Sequence, residues 1–338
     1  MRLPHPRGPA SAALCQALSG EPGMTLEHIV NLLPLLDDSS PAALTDADLQ
    51  VTLAICYELH YNGFDEVSGL WEWDPSLLAL RAAAESLFEK ALVTLLGDVA
   101  PVDPTAVPQL LIALSSDDGG PSLAKFIQRH ATADQFAEFV VQRSIYHLKE
   151  ADPHSWGIPR LTGRSKAALL EIQIDEYGSG ELKRMHAEMF RVTMEHFGLD
   201  SAYGAYIDVV PAITLATNNL MSLLGLHRRH RGALIGHLAA FEMTSAIPNK
   251  RYGNGLRRLG GVPTATRYYD EHVEADAVHE QIAAHDMCGV FARENPAEAA
   301  EVIFGARCCL ALDQLFAEHL LAAWGRAESS LVAIARSR

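Results

Sequence analysis

The sequence predicts an all-α protein, and two observations support this class. Helix-start signals recur: Thr132 and Gln135 have the spacing of a capping box, while Asp74 and Asn295 each precede a proline that would occupy the first helical position. Each signal opens a long apolar run at helical spacing. Alternating Val, Ile and Thr between Asn-Gly or Asp-Gly turns is absent from the sequence, so strands are not expected.

Apolar periodicity divides the chain into a series of predicted helices. They cover residues 25–36, 45–61, 75–97, 105–116, 132–150, 164–176, 181–197, 210–226, 231–246, 264–287 and 296–325. Proline and glycine concentrate at 99–121 and 151–163, and we place a division near residue 130. We therefore expect a loose tail over 1–20, a helical N-terminal part over 21–130 that packs on the core, and a functional core over 131–338.

Composition excludes several classes of partner. The 338 residues are 49% hydrophobic, which is enough to bury a sizeable core. Because 27 basic residues face 42 acidic ones, the formal charge is -15, and such a surface repels nucleic acid phosphates and anionic membranes. No apolar run reaches the roughly 18 residues that a membrane helix needs. We expect neither a nucleic acid nor a membrane partner.

The cysteines and the N-terminal residues predict a cytoplasmic location. Five cysteines are an odd number, and none of them has CxxC spacing, so neither a disulfide framework nor a thiolate zinc site is indicated. The first twenty residues are interrupted by Pro, His and Gly and lack the apolar stretch of a signal peptide.

The segment YYDEHVEADAVHEQ carries three metal-ligand types at helical spacing. His272, Asp276 and His279 are separated by four and three residues, which places them on one face of a helix. Two imidazoles and a carboxylate without thiolate suit iron, manganese or zinc. The alternative is a solvated polar stripe, since other acidic residues share this helix.

A second segment places Glu176 ten residues before His186. In an unbroken helix the two would be about 15 Å apart and could not reach one metal ion. Gly178 and Gly180 lie between them and can interrupt the helix, so that the chain folds Glu176 back toward His186. The alternative is a helix-loop-helix with an incidental histidine.

Glu242 is a carboxylate within the apolar segment LIGHLAAFEM. An unpartnered carboxylate in such surroundings would cost several kcal/mol, so a partner is required. That partner is either a metal ion or an arginine, and a capped helix end is a further alternative.

Taken in order, these residues resemble the ligand pattern of the haem-oxygenase-like di-iron oxidases, also called iron-containing redox enzymes. The resemblance extends over roughly residues 130–325 and includes the runs HLKEADPHSW, DEYGSG and DEHVEADAVHEQ. It implies a haem-oxygenase-like helical bundle with an additional helical N-terminal part. The metal ligands and catalytic residues that it implies are Glu176, His186, Glu242, His272, Asp276 and His279. Glu150 is either a further ligand or the charged end of a helix that Asp152-Pro153 terminates.

The resemblance also implies the chemistry. Two iron ions, with manganese as an alternative metal, would react with O2 and an electron donor to oxidise a small organic substrate. His186, Glu176 and Glu242 would hold one part of the centre, and the three residues of the YYDEHVEADAVHEQ segment the other. We expect N-oxygenation of an amine or amino-acid derivative, with oxidative C–C cleavage of an amino acid or fatty acid as the alternative, and a homodimer.

Two readings from other classes stay open. His285-Asp286 is the dipeptide found in helical His-Asp metal phosphohydrolases. A metal-free helical binding protein is the other reading, because a fold by itself does not establish a function. Iron content, O2 consumption and phosphate release distinguish the di-iron oxidase, the phosphohydrolase and the binding protein.

Overall fold

The computed structural model describes residues 1–34, 40–116 and 122–333, with the side chains of residues 275–277 left out of the description. Within these ranges every regular element is helical and no strand occurs, which confirms the predicted all-α class. None of the helices in the described ranges has the combination of length and apolar character needed to cross a bilayer. The end of the predicted helix 25–36 lies outside the described residues.

The α-helices, numbered in chain order, are α1 (Pro9–Leu18), α2 (Glu27–Val30), α3 (Ala47–Glu58), α4 (Pro75–Leu96), α5 (Val107–Ser115), α6 (Leu123–Arg129), α7 (Ala133–His147), α8 (Asp152–Ser155), α9 (Gly163–Glu176), α10 (His186–His196), α11 (Ala212–Leu226), α12 (Arg231–Arg258), α13 (Pro263–Gln281), α14 (Val290–Glu294) and α15 (Ala299–Gly325). A π-helical segment, Ile282–Gly289, follows α13 directly.

The chain forms two compact units. The first contains Met1–Asp98, Tyr203–Asn219 and Leu331–Arg338, and the second contains Val99–Ala202 and Leu220–Ser330. Each unit thus draws on separate stretches of the chain. A division near residue 130 into domains remains a prediction.

In the first unit, residues 1–20 differ from the loose tail expected from their composition. They include α1, whose Leu14 is fully buried. The carboxylate of Asp48 accepts hydrogen bonds from the backbone N–H groups of Ala10 and Ser11, both at 2.8 Å. These donors would otherwise be unsatisfied at the start of the helix. The cap comes from a residue 37 positions further along the chain, so no local sequence signal marks it.

In the second unit, α12 packs along both α13 and α15. It continues to Arg258 and includes Pro248, whereas the sequence predicted an end at residue 246. A proline inside a helix removes one backbone hydrogen bond, a cost of about 3 kcal/mol. The helix end is held by Arg258, which donates to the carbonyl oxygens of Ile127 at 3.1 Å and Ala131 at 2.6 Å. These distant contacts favour continuation of the helix.

Two glycines allow α12 and α15 to pack at close range. A Cβ atom on Gly236 would overlap the carbonyl oxygen of Val302, and one on Gly305 would overlap the carbonyl oxygen of Ala233. Because the obstacle in each case is backbone, a side chain cannot move aside to make room. The helix that carries Glu242 is therefore held in place by this contact.

We expect Gly236→Ala to lower the free energy of unfolding by at least about 1–3 kcal/mol, because the added methyl group forces α12 and α15 apart. Gly325→Ala is the matched control, since a Cβ atom there meets nothing within 4 Å. Denaturant titration measures both variants. Equal stability of Gly236→Ala and the parent would contradict the close packing.

Candidate metal centre

Four buried residues from different parts of the second unit point their ligand atoms at one another. These atoms all lie within 4.8 Å of each other and form what we name the first ligand group: Glu150, Glu176, His186 and His272. A second ligand group meets the same criterion and consists of Glu176, Glu242 and His279. Glu176 belongs to both groups, so its carboxylate lies between two sets of ligands.

The chemistry of the first ligand group fits a metal ion. Nδ1 of His186 lies 2.9 Å from Oε2 of Glu176. Neither atom has a partner with hydrogen-bond geometry among the residues that the structure describes. Two ligands bound at about 2.1 Å on adjacent octahedral positions are separated by about 3 Å, which matches this approach. Buried polar atoms without hydrogen bonds are costly, and a shared cation would satisfy both.

A glycine turn brings Glu176 and His186 together. Glu176 is the last residue of α9 and His186 the first of α10. Gly178 has φ +58°, and a Cβ atom there would meet the backbone nitrogen of Met185 at 2.6 Å. Gly180 has φ +83°. Both glycines thus adopt left-handed conformations, and the chain returns tightly enough for the two ligands to meet.

Glu150 lies in the turn after α7. Nδ1 of His147 is 3.0 Å from its Oε1 atom, and Nε2 of His272 is 3.7 Å from the same oxygen. Burial raises the pKa of Glu150, but these two histidines outweigh it and lower the pKa well below its ordinary value. The amide nitrogen of Gln173 donates to the carbonyl oxygen of Ala151 at 2.9 Å, which fixes the turn. The carboxylate is thus held in its ionised, ligand-competent form.

In the second ligand group, His279 lies between two carboxylates. Its Nδ1 atom is 3.1 Å from Oε2 of Glu242, and its Nε2 atom is 3.4 Å from Oδ2 of Asp175. Burial lowers the pKa of His279, but Glu242, Glu176 and Asp175 outweigh it and raise the pKa to about 9. Burial also raises the pKa of Glu242. This arrangement resembles the carboxylate–histidine–metal triads in which an outer carboxylate orients the imidazole.

Apart from Asp276, every ligand predicted from the sequence lies in one of the two groups. The side chain of Asp276 is outside the described residues, so its role remains a prediction. The grouping differs from the sequence interpretation, because His272 and His279 fall in separate groups. They are seven residues apart on α13, a rise of about 10 Å, so they lie at different levels of the helix and contact different carboxylates.

Sequence reasoning missed the outer contact of Asp175, although its position directly before Glu176 was a usable signal. The His285-Asp286 dipeptide is placed differently from the ligands. His285 is exposed, and Asp286 pairs with Arg164 at 2.7 Å. Neither residue takes part in the two ligand groups found among the described side chains.

Comparisons with known proteins bear on this centre. Residues 137–314, more than half of the chain, match the iron-containing redox enzyme family. The chain is also similar to a nitrosourea synthase of Streptomyces achromogenes subsp. streptozoticus, with 28% identity over 145 residues. That alignment covers 43% of this chain and 31% of the synthase, less than a third of that protein's length. The family match confirms the resemblance inferred from the ligand pattern.

We expect Gly178→Ala to abolish metal binding, because the methyl group collides with the Arg184–Met185 backbone and separates Glu176 from His186. Gly163→Ala is the control: Gly163 also has φ +58°, but a Cβ atom there meets nothing within 4 Å. Both variants carry a similar backbone cost of about 1 kcal/mol. Bound metal per chain is measured after reconstitution, and metal loss in both variants would contradict the role of the turn.

Proposed function

We propose a function for this chain, which belongs to the iron-containing redox enzyme family and is therefore an oxidoreductase. In this proposal the chain holds two iron ions and uses O2 to oxidise a small amine or amino-acid derivative by N-oxygenation. The observation that carries the proposal is the shared position of Glu176 in both ligand groups. A carboxylate has two oxygen atoms and can bridge two metal ions. A single metal site would not need two ligand groups that share one carboxylate.

The residues divide between the two ions. Glu150, His186 and His272 would hold one ion, Glu242 and His279 would hold the other, and Glu176 would bridge them. We propose Asp276, on α13, as a further metal ligand. Nitrogen and oxygen ligands without thiolate suit iron, and manganese is the alternative metal.

Charge supports two divalent ions. The carboxylates of Glu150, Glu176, Glu242 and Asp276 would contribute four negative charges, and two Fe(II) ions contribute four positive ones. The described carboxylates are all buried. Without cations they repel one another, and nearby histidines compensate part of their charge. Bound metal should therefore stabilise the folded protein.

When bound, a pair of iron ions supplies the redox chemistry that reaction with O2 requires. The chain provides the dry surroundings and the orientation of the ligands. Tyr146 and Phe241 pack with ring centroids 5.6 Å apart. Burial and the negative charges of Glu150, Glu176 and Glu242 raise the pKa of Tyr146. We expect these aromatic rings to keep water away from the carboxylates. Asp175 holds the Nε2 side of His279, which leaves Nδ1 directed at Glu242.

N-oxygenation is supported over C–C cleavage by the similarity to the nitrosourea synthase. A nitrosourea contains an N–O bond, so the name of that protein states a product with oxidised nitrogen. Oxidation of an amine to a hydroxylamine consumes one O2, two electrons and two protons and releases one water. The proposal therefore includes an external electron donor.

Ligand substitutions test the bridging role. We expect Glu176→Gln to weaken the binding of both ions, whereas His186→Ala and His279→Ala should each weaken the binding of one ion. O2 consumption should fall by more than the roughly 10–100-fold that loss of an outer contact costs. Iron per chain is measured after anaerobic Fe(II) loading, with helicity as the fold control. A Glu176→Gln protein that keeps about two irons per chain would contradict the bridging role of Glu176.

The reaction is tested with Fe(II)-reconstituted protein, a reductant and ¹⁸O₂. We expect O2 uptake in the presence of an amine or amino acid and incorporation of ¹⁸O on its nitrogen, with fatty acids and phosphate esters as the comparison substrates. Cleaved carbon chains in place of N–O products would support the alternative oxidation. Phosphate release without O2 uptake would contradict the oxidase assignment.

A further inference from the structure

Tyr268 contacts the first ligand group through its side chain. It lies on α13, one turn before His272, and is only 1% exposed. Its hydroxyl group donates to the Glu150 carboxylate, with Oη 2.8 Å from Oε1 and 2.9 Å from Oε2. Nδ1 of His147 lies 2.7 Å from the same hydroxyl oxygen. The Glu150 carboxylate thus contacts a phenol and, through Oε1, the imidazole of His147.

The backbone of Tyr268 contacts a second ligand. Nδ1 of His272 lies 2.8 Å from the carbonyl oxygen of Tyr268, so this nitrogen carries the proton and donates. The other ring nitrogen, Nε2, is directed at the ligand group and lies 3.7 Å from Oε1 of Glu150. One residue therefore orients two ligands that belong to different segments of the chain.

Glu150 depends on such contacts more than a ligand on a regular helix does. α7 ends at His147, and Glu150 lies in the turn that follows, directly before Ala151 with φ +73°. A flexible glutamate side chain loses about 1.5–2 kcal/mol of conformational entropy when it is ordered. The hydrogen bonds from Tyr268 and His147 offset this cost before any cation binds.

We propose that Tyr268 is a positioning residue of the metal centre, which directs the Glu150 carboxylate and the His272 imidazole at the same metal ion. This inference rests on the proposed function, because it requires a metal ion in the first ligand group.

The neighbouring Tyr269 provides a matched control. It is also 1% exposed and lies on the same helix. Its hydroxyl oxygen is buried and has no hydrogen-bond partner among the residues described. Tyr268→Phe and Tyr269→Phe therefore each remove one buried phenol oxygen, but only the first removes a contact with a ligand. The backbone contact to His272 is present in both variants.

The experiment is an anaerobic Fe(II) titration of the parent protein and both variants, with helicity and denaturant midpoint as fold controls. We expect Tyr268→Phe to lower the affinity for one of the two iron ions by about 10–100-fold, which is typical when a residue that orients a metal ligand is lost. Tyr269→Phe should bind iron like the parent. Equal affinities in all three proteins, or the same loss in both variants, would overturn the proposal.

A double-mutant cycle separates positioning from general destabilisation. In a Glu150→Ala background, we expect Tyr268→Phe to cause little further loss of affinity, because the first change already removes the carboxylate that the phenol contacts. Fully additive losses would show that Tyr268 acts independently of Glu150 and would overturn the proposal. A parent that binds two irons but oxidises no amine contradicts the proposed function instead, and these titrations still decide the role of Tyr268.

Discussion

The burial of Glu150, Glu176 and Glu242 in two ligand groups that share Glu176 is the constraint on which the rest of the centre depends. Ionised carboxylates in a low-dielectric interior require compensation by hydrogen bonds or positive charge. The histidines supply part of it, since the pKa of His186 is raised by Glu176 against the effect of burial, and the pKa of His279 is raised to about 9. Metal ions would replace those protons, so that the same charges that destabilise an empty site favour metal binding.

Several ligands lie where regular helices end, and this placement lets distant segments converge. Glu150 follows the end of α7, and Glu176 and His186 flank the glycine turn between α9 and α10. The π-helical segment Ile282–Gly289 begins three residues after His279. π-helical turns are frequent at functional sites, because they re-aim side chains at a cost in backbone geometry. The long helices α12 and α13 supply the remaining ligands from regular backbone. The close contact with α15 holds α12 in place.

Local signals predicted those elements whose stabilising contacts are also local. Thr132 and Gln135 form the capping box at the start of α7, and Asp74 caps α4. The missed features depend on distant contacts. α1 is capped by Asp48, and α12 continues beyond residue 246 while Arg258 binds carbonyl groups near α6. The energies of such contacts are comparable to the cost of an interior proline, so sequence periodicity alone cannot locate the helix end.

The sequence by itself determined the all-α class and the kinds of ligand, because helical periodicity places His272 and His279 on one face and because a glycine pair permits the return from Glu176 to His186. Only the tertiary structure decided which of these residues lie in the same ligand group. It brought Glu150 into the first ligand group, separated His272 from His279, and placed Glu176 between both groups. The physical reason is that periodicity fixes side-chain directions within one helix, whereas distances between helices depend on packing contacts spread over the whole unit.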